Sequence, residues 1–448
     1  MPPGLTGEIA QFIYQSSYKP VPEMSIVAAL GFMAGLTGRA YNISNTGLNL
    51  YILLLAGTGR GKEAMARGIG TLCGHIERTF PMINEFRGPG DAASGQALLR
   101  YLSEHNTASV CSVFGEFGVK LQSICSDRAG SHELMLQKVL LDLYSKSGAN
   151  DSVQPTTYSD SERNTKIIQS PAFSMIGESV PQWFYENVNQ GMISSGLLPR
   201  FHVVEYLGKR PPSQPGAEYV QPDPQMINQI MTVASTVQGL LAQNQRCPVR
   251  MDEAATRLNL ELDQRCDDII NNSNEGLATE LWNRAHLKTL RVAAILAVGK
   301  NPYQPVIDSE CFLWAENFTN HGIETLKKRF DTGSYGVSNT ENDRIATVLK
   351  ELAKYVQERP IDDRITDAVY NHYAFPYSWM LNKLRRRSVF NQERGGATNA
   401  IKQTLHCLQE MEMIQLIPPH QAKRTFNSEA KHYAIVGDIE DFDDYRDK

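Results

Sequence analysis

The chain has no pair of cysteines closer than 14 residues. Its seven thiols stand at 73, 111, 125, 247, 266, 311 and 407, which excludes CxxC redox motifs and zinc-finger spacings. The count is odd and several lie in apolar runs, so the reading is buried free thiols in a reducing compartment. The longest apolar run, Leu48 to Ala56, falls far short of the ~20 residues a membrane helix needs. The first residues lack a basic stretch followed by an apolar one, so no signal peptide is read there. These absences predict a cytoplasmic protein with no membrane partner. Positive charge is not in excess either: 44 Lys and Arg stand against 49 Asp and Glu, a net charge of −5. Any contact with nucleic acid must therefore come from a local patch or channel.

The chain is otherwise of ordinary globular composition, with 448 residues, 42% hydrophobic and 21% charged. Its length suggests about three domains. Residues 8–38 read as two helices broken at Pro20-Val-Pro22. Four short apolar runs, Leu48–Ala56, Ser109–Phe114, Ala172–Ile176 and Phe201–Tyr206, suit strands buried on both faces of a parallel sheet. Helical stretches near 62–79, 92–104 and 132–146 alternate with them, which predicts an α/β layer. Lys209 to Gly216 is Pro-rich and reads as a connector. Helices are expected over 223–245, 251–273, 277–300 and 308–330, and Asp331 to Gly336 reads as a second linker. Helices near 341–357 and 397–411, then two β-like runs at 413–417 and 432–436, suggest a winged helix. The predicted domains are a helical segment 1–45, a core 46–208, a helical lid or scaffold 217–330, a winged-helix-like domain 340–437 and an acidic tail 438–448.

The chemistry is concentrated at Ala56-Gly57-Thr58-Gly59-Arg60-Gly61-Lys62-Glu63. This stretch follows an apolar run and opens a helix, as a phosphate-binding loop does. Glycines let successive backbone N–H groups turn toward phosphate oxygens, the helix N-terminus adds its dipole, and Lys62 would reach the β- and γ-phosphates of ATP. Glu63 departs from the pattern. It stands where Ser or Thr normally holds Mg²⁺, and a carboxylate there either binds the metal or repels the phosphates. The alternative for the whole stretch is a glycine-rich turn with a solvated lysine.

Phosphoryl transfer needs a second acid at the tip of a neighbouring strand. Gly115-Glu116 follows the second run: Gly115 takes the usual metal-holding Asp position, and Glu116 that of the acid that deprotonates water and shares the metal with Glu63. The competing reading is a surface glutamate in a turn. Glu178 and Ser179 end the third run; they either sense the γ-phosphate or, for Ser179, cap the next helix. Arg200 precedes the fourth run, and either reaches a neighbouring subunit's nucleotide or pairs with a nearby acid.

These stretches together resemble the P-loop ATPases of phages and other mobile elements grouped under a "domain of unknown function" label, related to phage replicative helicase and primase–helicase proteins. The resemblance is carried by Pro2 to Ile9, Tyr41 to Tyr51, Ala56 to Lys62, Gly88 to Gln96, Val113 to Gly118, Leu140 to Gly148, Ser170 to Ser179 and Gly196 to Phe201. It covers about residues 1–330. It implies an additional-strand (AAA+/RecA-like) P-loop NTPase core, with the catalytic Glu116 on a different strand from the loop. It also implies ATP and Mg²⁺ as ligands, a homo-oligomer such as a hexameric ring that moves on DNA, a replication partner such as a primase or polymerase, and a bacterial or infected-cell cytoplasm.

Candidate nucleic-acid contacts are Lys146, Arg163 and Lys166, which flank a polar stretch with Tyr158 for base stacking, and Lys383, Arg385, Arg386 and Arg387 in the C-terminal domain, helped by Arg394 and Lys402. A solvated loop and a solvated helix face are the plain alternatives. Arg284, Lys288 and Arg291 share one helix face and form either a lid over the nucleotide or a salt-bridged surface. The expected function is an ATP-driven motor on single-stranded DNA. The alternative, favoured by Glu63 and Gly115, is a nucleotide-dependent DNA-binding or helicase-loading switch with weak turnover. A metabolic kinase finds little support.

Overall fold

The computed structural model describes every residue except 127–128, 155–165, 189, 273–276, 332–338, 392–395, 411–412 and 437–448. Tyr158, Arg163, Arg394 and the acidic tail lie outside the described residues. The chain divides into two units, Met1–Gly336 and Val337–Lys448.

The helices of the first unit are α1 (Leu5–Gln15), α2 (Pro22–Thr37), α3 (Glu63–Glu77), α4 (Gly95–Glu104), α5 (Phe117–Ile124), α6 (Ser131–Ser145), α7 (Pro181–Asn187), α8 (Gln190–Ser194), α9 (Pro224–Ala242), α10 (Glu253–Asn272), α11 (Leu277–Trp282), α12 (Ala285–Lys300) and α13 (Ser309–Asp331). Its central strands are β1 (Tyr51–Ala56), β2 (Ser109–Phe114), β3 (Ala172–Ser179) and β4 (Phe201–Tyr206). They form one parallel sheet in the order β2–β3–β1–β4. The four apolar runs thus become the four strands. Every residue of β1 is fully buried, as expected of a strand covered on both faces.

Two strand ends differ from the sequence reading. β1 begins at Tyr51, because the preceding N–H groups bond elsewhere: Leu48 to Gly38 O and Leu50 to Ser174 Oγ. β3 runs on to Ser179, paired with Leu55. Helix α2 is apolar almost all round because it is enclosed. It packs on β2 and β3, where Gly31 and Gly35 leave room for Ile176 and Cys111. Segments 1–45 and 217–331 share one hydrophobic core with the sheet. All seven cysteines are free.

The stretch 277–300 is two helices, broken at Asn283-Arg284, and its cationic face is neither lid nor salt-bridged surface. Lys288 and Arg291 are 2% and 0% exposed. Arg291 donates to Asn49 O at 3.0 Å, Tyr144 O at 2.9 Å and Thr46 Oγ1 at 2.5 Å, and its guanidinium lies 4.3 Å from the Tyr144 ring centre. Lys288 donates to Phe201 O at 2.6 Å. No carboxylate pairs with either among the described residues. These cations serve carbonyls at the start of the sheet and the end of α6, where a helix leaves its last acceptors unpaired.

Burial lowers the Lys288 ammonium to about 7 from the 10.4 of a free lysine. Between those values the unfolded chain binds a proton that the folded chain does not, so stability rises with pH across that window. The stability of the wild type relative to Lys288→Met, each measured by urea unfolding, should therefore increase from pH 7 toward pH 10; taking the difference removes the opposing titration of the buried thiols, whose pKa values burial raises. A difference that stays constant across that window would assign the proton to another group.

The second unit contains α14 (Asn339–Gln357), α15 (Asp367–Asn371), β5 (Ala374–Pro376), α16 (Tyr377–Leu384), α17 (Ser388–Asn391), α18 (Ala397–Glu410), β6 (Ile414–Ile417), α19 (Pro419–Phe426) and β7 (His432–Ile435). The two late β-like runs pair antiparallel, with Ile414 opposite Ile435. The connection between them carries α19 instead of a tight turn. β5 adds to the other edge of β7. Phe375, Trp379 and Tyr355 fill the core of this unit.

Candidate nucleotide-binding site

In a parallel sheet all strands end on one edge, and ligands gather there. The register fixes which residues meet. Leu54 and Leu55 of β1 lie opposite Glu178 and Ser179 of β3, and Phe114 of β2 lies opposite Gly177. The glycine-rich loop leaves β1, Gly115-Glu116 leaves β2, and Glu178 ends β3, so three of the predicted stretches converge on this edge.

Between Ala56 and α3 the backbone turns through positive φ at Gly59 (68°) and Gly61 (97°), a region that glycine enters without strain. At Gly61 a Cβ would also lie 2.4 Å from Lys19 O, so no larger residue fits. Lys62 stands just before α3 and Glu63 begins it. Thr58 and Gly59 are exposed at the tip of the loop. Arg60 folds back over the loop, 3.4 Å from where a Gly57 Cβ would stand, and donates to Gly208 O.

Lys62 Nζ lies 4.0 Å from Glu178 Oε2, with both side chains more than four-fifths buried. Burial raises the Glu178 carboxyl above its ordinary range, Lys62 draws it back, and Glu116 and Glu63 push it up again. One lysine and three carboxylates therefore share this space. Glu116 is exposed and holds a left-handed backbone, φ 50° and ψ 30°, which costs a non-glycine residue about 1–2 kcal/mol. It lines a cavity of about 680 Å³ with Asp91, Gly115, Lys120 and Glu133. A Cβ at Gly115 would meet nothing within 4 Å, so packing does not demand glycine there.

Among the described residues no three His, Cys, Asp or Glu side chains form a metal cage by themselves. Mg²⁺ is ordinarily held by one or two carboxylates together with nucleotide phosphates. The carboxylates of Glu63 and Glu116, both close enough to perturb Glu178, are a hard-oxygen donor set that fits such a shared site.

Other predicted residues are placed differently. Ser179 is buried, and its Oγ lies 2.1 Å from where a Cβ on Gly118 of α5 would stand. The residue capping α7 is Val180, so Ser179 neither caps that helix nor faces Lys62 as Glu178 does. Arg200 is 9% exposed and pairs with no acid among the described residues. Its guanidinium donates to Gly196 O at 2.5 Å and lies 5.6 Å from the Tyr144 ring centre. It sits beside the start of β1, since Phe201 is opposite Tyr51; this is the opposite edge of the sheet from the loop. Both readings of Arg200, the reach to a neighbour and the acid pair, give way to a place in the core.

Lys146 ends α6 and pairs with Asp142 at 3.0 Å, and Lys166 is exposed. In the second unit Lys383, Arg385 and Arg386 are exposed, whereas Arg387 donates to the buried Glu351 at 2.8 Å. Sequence reasoning missed Lys19 and the segment 207–214 as neighbours of the loop. Only the two Pro-X-Pro and Pro-Pro breaks near them gave any signal, and breaks mark turns without saying what the turn touches. Comparison of the chain with protein-family models and with curated proteins returns no match.

Proposed function

We propose that this chain is a P-loop ATPase that binds MgATP at the 56–63 loop and hydrolyses it, working as an oligomeric motor on DNA. The observation that carries the reading is the convergence of Lys62, Glu116 and Glu178 at one edge of the sheet, with Lys62 already held at 4.0 Å from Glu178. The strand order supports the additional-strand class, because β3 lies between the loop strand β1 and the acid strand β2.

In this reading the loop amides and the α3 N-terminus hold the phosphates. Lys62 exchanges Glu178 for the β- and γ-phosphates. Glu116 takes the proton of the attacking water, and the cavity beside it gives that water room. Glu63 and Glu116 would hold Mg²⁺, which would neutralise phosphate charge. In this reading the cations offered to a nucleic-acid backbone are Lys146 and Lys166 in the first unit and, separately, Lys383, Arg385 and Arg386 in the second. The three-stranded sheet with α16 and α18 supports the winged-helix reading of the second unit. The ring, the replication partner and the phage setting rest on the family resemblance.

A second reading, a nucleotide-gated switch with slow turnover, is favoured by Glu63 and Gly115, which replace a metal-binding hydroxyl and carboxylate. ATP hydrolysis with and without single-stranded DNA separates the two. Turnover that DNA stimulates several-fold, lost in Lys62→Ala, is expected of the motor. ATP binding without turnover in the wild type would leave the switch; no ATP binding at all would overturn both.

A further inference from the structure

The segment 207–214 has no helix or strand of its own, and its composition reads as a linker. A free linker makes few fixed contacts; this one is tied along its length. Arg60 donates to Gly208 O at 2.6 Å, and Tyr206 Oη to Lys209 O at 2.8 Å. Lys19 Nζ donates to Pro211 O at 3.0 Å and to Ser213 Oγ at 2.7 Å. The Gln214 backbone N–H donates to Tyr18 O at 2.9 Å, and its side-chain amide to Gln15 O at 2.6 Å. Pro211 is buried. The segment is a strap drawn across the glycine-rich loop and fastened to the turn between α1 and α2.

Arg210 lies between these fastenings. A Cβ placed on Gly59 would be 3.9 Å from both its Cζ and its Nε, so the guanidinium faces the tip of the loop. The side chain is exposed, and no carboxylate pairs with it among the described residues. Lys62 in the same loop does have an acid beside it. An unpaired, planar, five-donor cation held against a loop whose amides favour anions is suited to bidentate contact with phosphate. We propose that Arg210 is a phosphate-contacting residue of the nucleotide site, presented in cis by the 207–214 strap. The proposal rests on the nucleotide reading above, and it makes the connector part of the site.

Calorimetric titration with MgATP tests it at two salt concentrations, on the wild type, Arg210→Ala, Arg210→Lys and Lys62→Ala. Arg210→Ala should weaken ATP about 10- to 100-fold, the worth of one hydrogen-bonded charge, with the melting temperature of the nucleotide-free protein unchanged. Arg210→Lys should recover part of the loss. The affinity of Arg210→Ala should also fall less steeply with salt, because one ionic contact is gone. Wild-type affinity in Arg210→Ala, beside failure of Lys62→Ala to bind, overturns the role of Arg210 and leaves the nucleotide reading standing. Equal losses in the Ala and Lys variants with an unchanged salt dependence also overturn it, by making Arg210 a packing element. Absence of ATP binding by the wild type overturns both.

Discussion

Glu116→Gln is expected to lower the turnover number for ATP by about 100- to 10,000-fold, the usual contribution of a positioned general base, while the affinity for ATP stays within a few-fold of the wild type. Glu116 stands just past the last residue of β2, and its left-handed backbone aims an otherwise exposed side chain along the cavity beside the loop. Glutamine keeps the length and shape and removes the basicity together with the negative charge, leaving Glu63 as the carboxylate toward Mg²⁺. Because Glu116 is exposed and caps α5 without a side-chain hydrogen bond, the variant should keep its melting temperature. Single-turnover hydrolysis and equilibrium ATP binding on the same preparation check both halves. Unchanged turnover in Glu116→Gln, with loss in Glu178→Gln, would move the base to β3, where a carboxyl raised by burial already sits 4.0 Å from Lys62.

Arg291→Ala is expected to have the largest effect on stability. The substitution takes the guanidinium from Asn49 O, Tyr144 O and Thr46 Oγ1, leaving Tyr144 O only the long Asn49 Nδ2 contact at 3.5 Å and Thr46 Oγ1 its bond with Ser147 Oγ, and opens a void against the Tyr144 ring. Unpaired buried acceptors cost about 1–3 kcal/mol each when the structure cannot relax, and a truncated large side chain adds a cavity term. Losses overlap at one site, so the expected total is about 4 kcal/mol, seen in a unit of this length as a melting temperature lower by roughly 6 °C. Arg291→Lys should not rescue it, because a single ammonium cannot span three acceptors on two elements. A loss of under 1 kcal/mol in Arg291→Ala would mean that the carbonyls find other partners.

The contrast between these residues shows what was legible in the sequence. Glu116 and Lys62 announce themselves locally, one between two glycines after an apolar run and the other after alternating glycines. The four strands were legible for a similar reason, since a strand buried on both faces needs an unbroken apolar run. Arg291 was not. Its spacing from Lys288 and Arg284 is that of a solvated helix face. Only the carbonyls of Asn49 and Tyr144, more than 140 residues away in the chain, turn that face inward. The 207–214 strap was misread for the same reason: proline marks where a chain bends, while Lys19 and Arg60, which fasten it, lie about 150 residues or more earlier.

The order of strands also constrains how the protein can be made. β1 has no neighbour in the sheet except β3 and β4, so the fully apolar Tyr51–Ala56 segment leaves the ribosome more than a hundred residues before a strand that can pair with it. At roughly 5–20 residues per second, that is a delay of about ten seconds. During it, an unpartnered sticky segment needs shelter from α2, which is synthesised first and later packs against it, or from a chaperone.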